Sequence, residues 1–197
     1  MRLYLTIKRT FDFVLSLFAI FLLSPFFLVF TLLIKLSSRG PVLFKQERIG
    51  RNKVHFDILK FRTMRIETPK NTPTHLLDNP EQWITPIGKF LRKYSLDELP
   101  QLFNILKGDM SIVGPRPALW NQFDLIELRD QYGVNCILPG LTGWAQVNGR
   151  DELSIELKVN YDIEYLERMS LLFDITCVYH TFFKVLRSEG VVEGKSK

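Results

Sequence analysis

The feature that most constrains this chain is a run of 22 residues, Phe13–Ile34, that carries no charge. At 1.5 Å per residue it makes a helix of about 33 Å, enough to cross the hydrocarbon core of a bilayer. The run is longer than the apolar core of a cleaved leader and no small-residue cleavage site follows it, so it is expected to persist as a membrane segment. Ser24–Pro25 sits at its midpoint. Proline removes a backbone donor and clashes with the preceding turn, so a kink is expected there, with Ser24 able to bond a freed carbonyl. Arg2, Lys8 and Arg9 flank one end and Lys35, Arg39 and Lys45 the other, which leaves the positive-inside rule nearly tied. A kinked span and a helix that bends at Ser24–Pro25 and returns to the same face both fit. Asp12, costly if left unpaired in lipid, is expected to pair with Lys8 or Arg9.

The 197 residues leave room for this segment and one domain of ordinary size. The net charge of +5 is lopsided: through Arg65 the balance is +9, and thereafter it is −4. Basic charge beside an apolar segment points to anionic headgroups or phosphates. It forms no separate module, which argues against a nucleic-acid partner. Cys136 and Cys177 share no metal-like or redox-like spacing with each other or with His55, His75 and His180, so a reduced setting without structural zinc is expected.

Alternation over 40–66 (Val42, Phe44; Val54, Phe56, Ile58), broken at Ile49–Asn52, predicts a short strand pair. Residues 67–81, with Pro69, Pro73 and Pro80, read as a surface loop. Helical spacing predicts helices from Thr85, over Leu99–Lys107 with a stop at Gly108, over 121–131 and over about 154–168. Residues 108–120 and 133–150, rich in Gly and Pro, read as ordered loops. The final run places Leu171, Ile175, Val178, Phe182 and Val185 on one face and Thr176, His180, Lys184 and Arg187 on another. Core packing and a position flat in the membrane interface are both open.

Ser95-Leu96-Asp97-Glu98 has the form of a capping box, with Ser95 or Asp97 as the cap. Either choice puts both carboxylates at a helix N-terminus, where the field favours their ionised forms and attracts phosphate. Capping alone would explain the acids but not their surroundings. Arg92 and Lys93 lie upstream, and the loop 108–117 downstream offers Arg116 as a bidentate phosphate fork. A carboxylate in such company can ligate magnesium or attack phosphorus; Glu98 would orient an acceptor or manage a proton. Lys60 and Arg62 are expected on one face of a strand. Trp144 either stacks on a base or packs, and Arg150 either binds a diphosphate or pairs with Asp151. Asp162 and Asp174 read as surface or salt-bridge acids. Walker-type, dinucleotide and Asp-x-Asp signatures are absent from the sequence.

From Lys8–Arg9 to about Asp174, these blocks together resemble the bacterial sugar transferase family, the small monotopic polyprenyl-phosphate phosphoglycosyl transferases. The likeness rests on Ser24–Pro25, Gly-Pro-Val-Leu-Phe-x-Gln at 40–46, Lys-Phe-Arg-Thr-Met at 60–64, Ser-Leu-Asp-Glu-Leu-Pro-Gln-Leu at 95–102, and the loops 108–117 and 139–150. It implies a mostly helical α/β monotopic membrane protein with a re-entrant helix over 1–38, a catalytic domain over 39–187 and a tail over 188–197. It implies a ping-pong reaction with Mg2+. Asp97 would attack a UDP-sugar, expel UMP and hold a phosphosugar until undecaprenyl phosphate takes it, on the cytoplasmic face of the bacterial inner membrane. Asp97 matches the nucleophile and a metal-ligand position, and Glu98 its dyad partner. Lys60, Arg62, Arg92, Arg116, Arg150, Asp162 and Asp174 match substrate- or phosphate-binding positions. Asp151 departs from the asparagine that often follows the Gly-Arg pair, which puts local sugar or nucleotide contacts in doubt. The resemblance leaves room for a homodimer and for downstream glycosyltransferases as partners. A membrane-anchored lipid- or phosphate-binding protein without catalysis, and a conventional glycosyltransferase that releases UDP, are the competing readings.

Overall fold

The computed structural model describes residues 2–69, 79–149 and 152–187. The greater part of the expected 67–81 loop, His75, Arg150, Asp151 and the 188–197 tail lie outside them. Helix α1 (Arg2–Ser37) contains the whole apolar run, and Pro25 lies inside it. Pro25 cannot donate to the carbonyl of Phe21. The Ser24 hydroxyl donates to that same oxygen at 2.8 Å, as expected of it.

The burial of α1 inverts that of a soluble helix. Lys8, Asp12 and Ser16, at four-residue spacing, are buried, while Phe21, Leu28 and Leu36 are more than 70% exposed. The outward face of α1 is thus apolar, and a polar stripe in its first half faces the rest of the chain. Asp12 corrects the expectation made for it. Its carboxylate accepts from the Ser111 hydroxyl at 2.7 Å and the Ile112 amide at 3.0 Å. Lys8 pairs instead with Asp174, and Arg9 donates to the carbonyls of Ile105 and Leu106. Tertiary partners on this face supply stronger geometry than neighbours along the helix.

Strands β1 (Leu43–Ile49) and β2 (His55–Phe61) form the expected antiparallel pair, with Phe44 opposite Lys60 and Arg48 opposite Phe56. Helix α2 (Pro86–Lys93) starts at Thr85, whose hydroxyl accepts from Gly88 N. Helix α3 (Gln101–Lys107) ends on Gly108 at φ +101°. Phe56, Ile58, Leu102, Ile105 and Met110 pack against the first half of α1, and Phe61 and Leu91 against Phe30 and Ile34 in its second half.

The two Gly/Pro-rich loops meet. Strand β3 (Ser111–Val113) pairs in parallel with β4 (Gly140–Thr142), a ladder that period-2 reading does not reveal because each strand has three residues. A Cβ on Gly140 or Gly143 would lie 2.1 Å from Gly114 N or 2.0 Å from Gly114 O, so both positions need glycine for backbone to meet backbone. Helices α4 (Phe123–Gln131), α5 (Trp144–Val147), α6 (Ile155–Arg168) and α7 (Leu171–Arg187) follow among the described residues.

In α7 the buried residues are Phe173, Asp174 and Cys177. Leu171, Ile175, Val178 and Phe182, grouped by spacing as one face, are exposed together with Leu172, Tyr179 and Leu186. The apolar face points outward.

Candidate active site

Asp97 and Glu98 do not cap an α-helix. They occupy a 3-10 turn, Leu96–Glu98, entered through Ser95 in the left-handed region at φ +53°, and the Ser95 side chain does not cap the turn. Pro100 then leads into α3. The capping-box expectation therefore fails: the positive φ of Ser95 swings its side chain away from the role, and proline separates the acids from the helix. The turn buries both carboxylates, each 8% exposed.

Around this pair the chain assembles cations from three elements. Lys60 follows Phe56 and Ile58 at two-residue spacing on β2, which turns it inward. Its Nζ donates to Glu98 Oε1 at 2.8 Å. Arg116 Nη2 donates to the same oxygen at 3.1 Å. Arg92, in the last turn of α2, acts on Asp97 electrostatically. Among the described residues Asp97 makes no ion pair, so the two acids differ: Glu98 is gripped and Asp97 is available. Burial is the main cause that raises the Asp97 pKa above the ordinary carboxylate range; Lys60 opposes it, Glu98 adds to it and Arg92 opposes it. Burial likewise lowers the pKa of Lys60, against the pull of Glu98. Such a site has excess positive field for a phosphate and one carboxylate that no ion pair among the described residues occupies.

Other expected site residues stand apart. Lys60 and Arg62 do not converge, because β2 ends at Phe61. The Arg62 guanidinium donates to the carbonyls of Ser38 and Arg39 at 2.7 and 2.8 Å and to the Ser38 hydroxyl at 2.9 Å, closing the end of α1. Asp162 is 1% exposed and accepts from Arg129 Nε and Nη2 at 2.9 and 2.7 Å. Asp174 accepts from Tyr4, Lys8 and Tyr165. Both acids accept from protein donors, as the salt-bridge reading of them expects. The Trp144 indole donates to Glu164 at 2.6 Å and rests against Tyr161, Phe173 and His180, so it packs. Arg129 and Arg48, which no motif marks, donate to the Arg116 and Pro117 carbonyls and hold that loop. Two prolines around one arginine were the available signal that the loop needs outside donors.

Residues 3–188 match the sequence profile of the family described as bacterial sugar transferase. The chain belongs to that family. As a sugar transferase it is 41% identical over 185 residues to the UDP-glucose:undecaprenyl-phosphate glucose-1-phosphate transferase of Escherichia coli, with 90% of this chain and 40% of that protein covered. It is 38% identical over 194 residues to the UDP-N-acetylgalactosamine-undecaprenyl-phosphate N-acetylgalactosaminephosphotransferase of Aeromonas hydrophila, covering 95% of this chain and 45% of the relative. Exopolysaccharide production protein ExoY of Sinorhizobium fredii is 38% identical over 197 residues, with 93% and 87% covered. The chain thus spans most of one relative and less than half of the other two.

The donor set bears on Mg2+. Among the described residues no group of three or more His, Cys, Asp or Glu gathers within reach of one metal ion. Asp97 and Glu98 offer at most two carboxylates, and Glu98 is tied to cations. That cannot cage a metal, but it suits Mg2+, which keeps waters and takes one or two carboxylates together with substrate phosphates.

Proposed function

We propose that this sugar transferase moves a sugar-1-phosphate from a UDP-sugar to undecaprenyl phosphate, releasing UMP, through a covalent intermediate on Asp97. The observation that carries the reading is the asymmetry of the buried pair: Glu98 is clamped by Lys60 and Arg116, while Asp97 beside it has no ion-pair partner among the described residues. The named activities of the Escherichia coli and Aeromonas relatives support the donor and acceptor classes. Their different sugars leave the hexose of this chain open.

In the first step an Asp97 carboxylate oxygen attacks the β-phosphorus of the donor. The bond from that phosphorus to the bridging oxygen breaks, and UMP leaves with the electron pair. An acyl phosphate now joins Asp97 to the sugar phosphate. In the second step an oxygen of the lipid phosphate attacks the same phosphorus and the Asp97–phosphorus bond breaks, which restores the carboxylate. Lys60 and Arg116 hold Glu98 beside the reacting carboxylate, and Arg92 adds positive field for charge on the transferring group. Mg2+, held by Asp97 and the donor diphosphate, would neutralise phosphate charge. The outward apolar faces of α1 and α7 would set the site at the depth of a lipid phosphate. With Ser24–Pro25 as the bend, α1 would be re-entrant (1–38) and the catalytic domain (39–187) would lie on the cytoplasmic face of the inner membrane.

The test incubates the full-length chain with a panel of UDP-sugars and Mg2+ but no lipid acceptor. One equivalent of UMP and a phosphosugar mass adduct are expected, both lost in Asp97→Asn. With acceptor present, Asp97→Asn should lower turnover by more than about a thousandfold. UDP as the product, or no adduct with any donor, would reject the covalent route.

A further inference from the structure

The loop that carries Arg116 is short of donors, because Pro115 and Pro117 flank it and neither has a backbone N–H. It is held through its acceptors instead. The Pro115 carbonyl accepts from Gly140 N at 2.8 Å and the Ala118 carbonyl from Ile49 N at 3.0 Å. Between them, the Arg116 carbonyl accepts from Arg129 Nη1 at 2.8 Å and the Pro117 carbonyl from Arg48 Nη1 at 3.0 Å. Four consecutive carbonyls are taken by donors from β1, α4 and β4, and two of those donors are guanidinium groups. Arg129 is 5% exposed. Its Nε and Nη2 rest on one oxygen of Asp162, which leaves Nη1 aimed at the loop. A buried cation is tolerable there because Asp162 neutralises it, and only a planar fork serves both partners at once.

We propose that Arg129 is a positioning residue for transfer at Asp97–Glu98: backed by Asp162 and aided by Arg48, it fixes the Arg116 backbone so that the Arg116 guanidinium stays on Glu98. The inference rests on the reading of that pair as the reaction centre. It also gives Asp162 a role, one step removed from substrate. Misplacing a charged group by about 1 Å costs on the order of a hundredfold in rate. The whole length of the Pro-Arg-Pro loop is exposed to such slack if its acceptor-side clamps go.

A double-mutant cycle on the full-length chain in detergent tests this, with UMP release from the active donor as the readout. Arg129→Lys keeps the charge on Asp162 but loses the fork. It should lower kcat about tenfold or more and change the donor KM less. In an Arg116→Ala background the same change should alter kcat by less than about twofold, since its target is gone. An arginine that only supports folding would lower kcat equally in both backgrounds, which would overturn the proposal, as would an unaltered kcat in Arg129→Lys. If Arg129→Lys does not fold, Arg48→Lys, acting on the neighbouring carbonyl, should show a smaller loss with the same dependence on Arg116. Hydrogen exchange over 110–122 reads the same loop without substrate. It should quicken about tenfold in the variant while β2 is unchanged, and unchanged exchange would overturn the proposal. A parent chain that yields no UMP, with quickened exchange in the variant, would reject the reaction and leave the clamp on Arg116 standing.

Discussion

Burying Asp97 beside Glu98 makes it harder to ionise in the folded chain than in the unfolded one, and Lys60 and Arg92 offset only part of that. A carboxylate whose pKa is raised by folding keeps its proton longer in the native state. Native stability therefore falls as pH rises from the ordinary carboxylate range through the raised value. Asp97→Asn removes that cost. In magnesium-free buffer at pH 8 the variant should melt at or above the temperature of the parent, with the difference shrinking as pH falls towards 4. A variant several degrees less stable at pH 8 would mean that folding favours the Asp97 charge, the opposite sign. The same burial serves chemistry, because a partly desolvated carboxylate is a stronger nucleophile when it does ionise.

Within α1, one residue removes a hydrogen bond from the helix that contains it. Pro25 leaves the Phe21 carbonyl without its helical donor and Ser24 covers that oxygen. Pro25→Leu restores the backbone donor and removes a helix-interior cost of about 3 kcal/mol, which favours a straight span. In a Cys136→Ser, Cys177→Ser background, Thr6→Cys should then react with a membrane-impermeant maleimide from outside intact cells only when Pro25→Leu is also present. Equal protection with and without Pro25→Leu would remove proline from the control of topology. Helix α7 shows the other side of element-level reasoning. Its apolar line was visible in spacing, but spacing could not say whether protein or lipid would face it.

Across the whole molecule, polar side chains fasten the first half of α1 to the domain. Tyr4 and Lys8 meet Asp174, Arg9 caps the C-terminal carbonyls of α3, and Asp12 holds Ser111 and Ile112 at the head of the Arg116 loop. Asp174 also accepts from Tyr165, so one carboxylate joins α1, α6 and α7. Burial pushes the Tyr165 phenol far above its usual pKa, so this hydroxyl remains a donor throughout the physiological range. Asp174→Asn would leave the Lys8 charge buried and unpaired. The expected loss is about 3–5 kcal/mol, a drop in Tm of roughly 6–20 °C in detergent. A change below about 1 kcal/mol would show that the three elements hold together by apolar packing alone.

Legible along the chain were the long apolar helix with Pro25 inside it, the β1–β2 pair, most helix positions and the Asp97–Glu98 pair. Each is written locally: as an uncharged run, a missing donor, a period of 2 or 3.6, or an acidic pair among basic and glycine-rich blocks. Which cation reaches which acid is set on folding. Lys60 turns to Glu98 while Arg62 turns to the end of α1, because β2 stops between them. Asp12 meets Ser111, Asp162 meets Arg129 and Asp174 meets Lys8, partners 99, 33 and 166 residues away in sequence. Long polar side chains choose partners by distance and desolvation in the folded state, and neither quantity exists along a linear chain.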